Sequence, residues 1–76
     1  MEIGLLWFDD DKKRDLPAKV IRAANHYKQR FGRKPELCFV NPSMLGDDEE
    51  KIKPGGVILQ SSSTVLMNHF WLGMND

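Results

Sequence analysis

The sequence predicts an α+β fold: a small two-layer β-α-β-β-β arrangement with one amphipathic helix, about residues 15–32, on a mixed four-stranded sheet. Three observations carry this reading. Leu16, Val20, Ala23, Ala24, Tyr27 and Phe31 recur at helical spacing and fall on one stripe. Four short apolar runs, Ile3 to Phe8, Glu36 to Val40, Val57 to Gln60 and His69 to Met74, read as strands. Turn signals, Gly32 to Pro35, Asn41-Pro42-Ser43 and Pro54-Gly55-Gly56, separate them.

In the first strand Ile3, Leu5 and Trp7 alternate with Leu6 and Phe8. Both faces are apolar, the pattern of a central strand covered on both sides. Gly4 inside this run marks a place where another group can approach the backbone closely. The charged connector Asp9 to Asp15 follows. Asp15 is placed to cap the helix, Pro17 falls in its first turn and Gly32 follows the last stripe residue. The spacing of strand, helix and second strand predicts a right-handed βαβ crossover with parallel strands. Asn41-Pro42-Ser43 turns the chain into a polar, acidic loop at Gly46 to Lys53. The third and fourth strands are expected to pair antiparallel across the polar connector at Ser61 to Thr64. In the fourth, Phe70, Leu72 and Met74 share one face and Trp71 and Gly73 the other.

One helix can cover only one face of such a sheet. Leu6, Phe8, Cys38, Val40 and Trp71 are assigned to the other face, which predicts an apolar patch of the kind that meets a partner. Leu6, Phe8, Val40 and Trp71 are therefore the candidate partner-binding residues. The function expected from them is that of a non-enzymatic protein-interaction module that self-associates, as a homo-oligomer, or docks on a partner protein.

A second reading comes from the helix flank. Lys19, Arg22, Lys28, Arg30, Arg33 and Lys34 are six cations between residues 16 and 34, with no acidic residue among them. Lys19, Arg22, Arg30, Arg33 and Lys34 could face the phosphates of a nucleic acid. A third reading is a metal-dependent enzyme with Asp9 and Asp11 as carboxylate ligands after the first strand. Lys12, Lys13 and Arg14 compete for those carboxylates, and no metal or cofactor is expected. Asp47 to Glu50 lack the ligand spacing and central glycine of a calcium loop. Cys38, His26 and His69 match no zinc spacing, and no nucleophile elbow or phosphate loop occurs.

The chain has 76 residues, enough for one domain, residues 1–76. A chain of this size buries only about 60–65% of its unfolded surface, so stability supplied by association is an advantage. The formal net charge is +0, which argues against a nonspecific polyelectrolyte binder. The single cysteine cannot make an internal disulfide, which suits a reducing cytoplasm. The opening MEIGLLWFDDD has an acid at position 2 and too short an apolar run for a signal peptide, and no stretch is long enough for a membrane span.

The run FGRKPELCFVNP, Phe31 to Pro42, followed by VLMNHFWLG, Val65 to Gly73, resembles a group of short bacterial proteins that end in a similar HFW-glycine stretch. The resemblance implies no activity and no residue roles.

Overall fold

The structure is a computed structural model and describes residues 4–46 and 53–74. The elements in order are strand β1 (Gly4–Phe8), helix α1 (Leu16–Phe31), strand β2 (Leu37–Val40), single 3₁₀ turns at Pro42–Met44 and Pro54–Gly56, strand β3 (Ile58–Ser61) and strand β4 (His69–Gly73). The fold is a small α+β arrangement of one helix on a mixed four-stranded sheet.

Helix α1 begins and ends where its sequence places the ends. Asp15 keeps extended backbone geometry, and its Oδ1 accepts the Ala18 N–H at 2.9 Å. Gly32 takes the left-handed conformation, φ 75°, and its N–H donates to the Lys28 carbonyl at 2.8 Å. Val20, Ala23, Ala24 and Tyr27 are buried against the sheet, while Leu16 and Phe31 flank them, half-buried. Ala23 and Ala24 allow a close helix-to-sheet approach, and the aromatic ring of Tyr27 fills the space beside them. His26, on the outer flank, lies 4.1 Å from the Trp7 ring in a stacked pair that ties helix to sheet. No helix among the described residues is long and apolar enough to cross a membrane.

The sheet order is β1-β4-β2-β3. β4 runs antiparallel to both β1 and β2, and β2 runs parallel to β3. β1 and β2 are therefore parallel, as expected across α1, but β4 lies between them. Two expectations change. The third and fourth strands do not pair, since β3 forms an edge beside β2. β1 is the opposite edge and not a central strand. The composition of each strand explains the outcome. β3 buries one apolar side chain, Leu59, and carries Gln60 and Ser61, which suits an edge. β4 offers Phe70 and Leu72 to one side and Trp71 to the other, which suits the middle of a sheet.

Register fixes the two faces. Val40 lies opposite Phe70, Cys38 opposite Leu72 and Leu59, and all five are fully or almost fully buried under α1. Val40 and Cys38 thus point toward the helix and not to the other face. The second strand is apolar at both parities, so alternation alone cannot phase it; pairing with β4 does.

The unequal burial of the two helix aromatics leads to a measurable difference. Tyr27→Ala removes a fully buried ring and should cost about 3–5 kcal/mol. Phe31→Ala, at the half-buried end of the stripe, should cost clearly less. Urea denaturation of the two variants checks the order, and equal losses would contradict this packing.

Candidate functional site

The face of the sheet turned away from α1 is assembled by three cross-strand rows. Leu6 pairs with Trp71, Trp71 with Phe39 and Phe39 with Gln60. On one side of this row Phe8 pairs with His69; on the other, Gly4, Gly73, Leu37 and Ile58 are in register. Directly opposed residues share a face, so these side chains form one surface. No Lys, Arg, Asp or Glu occupies a strand position on it.

Trp71 organises the surface. A Cβ built on Gly4 would run into Trp71 Cζ2 and come within 2.6 Å of Cη2, so the indole lies directly on the bare backbone of the edge strand. This is the close approach that Gly4 predicts, and it covers an edge glycine with an aromatic ring. On its other side Trp71 meets Phe39, with ring centroids 6.2 Å apart and planes tilted by 49°. Trp71 is half-buried as a result. It forms part of the floor of the surface, while Leu6 and Phe8 project from it, 61% and 55% exposed.

The segment between β3 and β4 adds a wall. Asn41 Nδ2 donates to the Val65 carbonyl at 2.9 Å, and its Oδ1 accepts the Ser43 N–H at 2.9 Å. This amide bracket ties the segment to the end of β2 and leaves Val65 buried. Leu66 and Met67 face outward, 69% and 50% exposed. Asn68, with φ 63°, turns the chain into β4, a left-handed geometry that Asn tolerates. Between wall and sheet runs a groove of about 530 Å³ lined by Leu6, Phe39, Ser62, Thr64, Val65, Leu66, His69 and Trp71. Its lining is mainly apolar, and its size lies in the range of small-ligand and anchor-residue pockets. The Ser62 and Thr64 hydroxyls bond each other at 2.8 Å. His69 Nδ1 lies 2.8 Å from the Met67 carbonyl. A carbonyl only accepts, so Nδ1 is the donor in this contact.

The candidate partner-binding residues divide. Leu6, Phe8 and Trp71 share the open face. Val40 does not belong to it, being 0% exposed on the helix side. Leu66, Phe39 and His69 join the face although the sequence did not place them there, and Met67 is exposed beside it, with its sulfur 2.8 Å from Ser43 Oγ. A clue to Leu66 and Met67 is their position as large apolar residues just after the polar run Ser61 to Thr64.

Of the candidate phosphate-facing residues, Arg22, Arg30, Arg33 and Lys34 are exposed, and Arg30 lies 5.7 Å over the Phe31 ring. Lys19 is buried and drops out of the flank. Lys34 and Lys28 line a smaller cleft of about 270 Å³ with Asn25 and Gly55.

The carboxylates after β1 hold their own loop together. Asp9 Oδ1 accepts the Asp11 N–H at 3.0 Å, Asp11 Oδ1 accepts the Lys13 N–H at 2.8 Å, and Asp11 Oδ2 pairs with Arg14 at 2.6 Å. Among the described residues no three His, Cys, Asp or Glu side chains converge as a metal site. The acidic run Asp47 to Glu50 lies outside the described residues.

Burial pushes the Cys38 thiol up to about 12. The neutral thiol is the form the fold favours, and unfolding returns it to its ordinary value near 9.0. Its stabilising contribution is thus complete below 9.0 and is lost as pH rises toward 12. Cys38→Ala should flatten the fall in stability as pH passes 9.0, as read by denaturant midpoints at successive pH values. A second expectation concerns Gly4. Gly4→Val should displace the indole, shift Trp71 emission to the red and lower the melting temperature, whereas unchanged emission would contradict the stacking.

No protein-family model, curated protein or solved structure matches this chain, so the reading of this face rests on its own geometry.

Proposed function

We propose that the chain is a protein-interaction module that works through the open face of its sheet. One observation carries the reading: Leu6, Phe8, Leu66 and Met67 stand out to water around an apolar groove, on a face where no strand position is charged. Four large exposed side chains leave on the order of 500 Å² of apolar surface wet, the upper end of what a monomer normally carries. Burial at about 25 cal/mol per Å² makes covering this surface favourable by roughly 10 kcal/mol before association costs. The face has the composition of an interface core, rich in aromatics and aliphatics and poor in charge. The buried thiol of Cys38 fits a reducing, cytoplasmic setting for such a module.

The nucleic-acid reading is supported by the exposed Arg22, Arg30, Arg33 and Lys34, with Lys28 and Lys34 sharing one cleft. It ranks second because no aromatic ring is left free to stack bases there: Trp71 and Phe39 lie on the sheet's opposite face, Phe31 is half-buried under Arg30, and His26 already stacks on Trp7.

Photo-crosslinking separates the two. With benzoylphenylalanine in place of Phe8, irradiation in cells should yield a discrete adduct that resists nuclease and yields to protease. The same group in place of Arg30 should yield none. A nuclease-sensitive adduct from position 30 alone would overturn the protein-interaction reading in favour of the other.

A further inference from the structure

Phe8 stands beside the groove without lining it. The surface therefore carries a projection and a hollow side by side. Resting on the interaction-module reading, we propose that the occupant of the open face is a second copy of this chain, docked face to face about a two-fold axis. Phe8 of each copy enters the groove in front of Trp71 and Phe39 of the other.

Three features single out a second copy. The first is shape: in a two-fold contact each patch meets itself, so a patch must hold both the knob and the hole it needs. Here Phe8 and the groove meet that requirement, with His69 between them, lining the groove and lying 5.0 Å from the Phe8 ring. The second is charge. The strand positions of this face hold no Lys, Arg, Asp or Glu, and the whole chain carries a formal net charge of +0. Two copies approach without long-range repulsion, and a face with no charge to steer a different partner has the character of a homodimer interface, which is more apolar than others. The third is area. On the order of 500 Å² from each copy gives about 1,000 Å² in all, the lower bound of a specific interface. This predicts a dimer that forms and dissociates with concentration.

Light scattering over a concentration series, with far-UV circular dichroism on every sample, tests the proposal. The solution mass should rise from that of one chain toward that of two between low and high micromolar concentration. Phe8→Glu and Leu66→Glu, both at exposed positions, should keep the wild-type helical signal and hold the mass at one chain. Arg30→Glu, on the far side of the helix, should dimerise as the wild type does. A wild type that stays at one chain through high micromolar concentration overturns self-docking. In that event an apolar dye whose fluorescence rises with wild type but not with Phe8→Glu leaves the binding face in place for another occupant. No dye response removes the binding face as well. A dimer unaffected by either glutamate variant overturns this face as the interface.

Discussion

A single helix must serve a sheet that is apolar on both sides, and the rest of the structure follows from that imbalance. Val20, Ala23, Ala24 and Tyr27 cover Cys38, Val40, Leu59, Phe70 and Leu72, and with that the covering capacity of α1 is spent. The other face is dealt with by smaller means. Trp71 lies down on Gly4, Phe39 tilts against Trp71, and the segment before β4 is drawn over one corner by the Asn41 amide. These contacts bury Val65 and half-bury Trp71, but leave the rim open. The candidate site is thus the remainder of the packing problem, located where the described residues place no second helix.

How much of this could be read beforehand depends on whether the relevant signal was local. The helix was legible because its stripe, its capping Asp15 and its terminating Gly32 all lie within one stretch and act within one or two turns. The glycine at position 4 was legible as a close approach, although the ring that makes it comes from a strand far along the chain. The order of the strands was not legible. Pairing between distant segments is decided by which strand is apolar on both sides, and β1 and β4 both meet that description. The second strand failed for a related reason: with Leu37, Cys38, Phe39 and Val40 all apolar, its inward parity is set by Phe70 and Leu72 across the ladder. That misplaced Val40. Leu66 and Met67 escaped notice because a short apolar run after Ser61 to Thr64 reads as the approach to a strand.

Charge is kept off the sheet altogether. Helix α1 and the turn after it hold Lys19, Arg22, Lys28, Arg30, Arg33 and Lys34, the connector after β1 mixes Asp9, Asp10, Asp11 and Asp15 with Lys12, Lys13 and Arg14, and no described strand carries a Lys, Arg, Asp or Glu.

The central place of β4 has a consequence for biosynthesis. β1 and β2 are joined in the sheet only through β4, the last of the described strands in chain order. Until residues 69–73 emerge, the nascent chain can form its helix and the β2–β3 pair, but the two parallel strands flanking α1 have nothing between them. The sheet is completed only when β4 pairs with β1 on one side and β2 on the other. This makes folding a late event with high contact order, slower than the size of the chain would suggest.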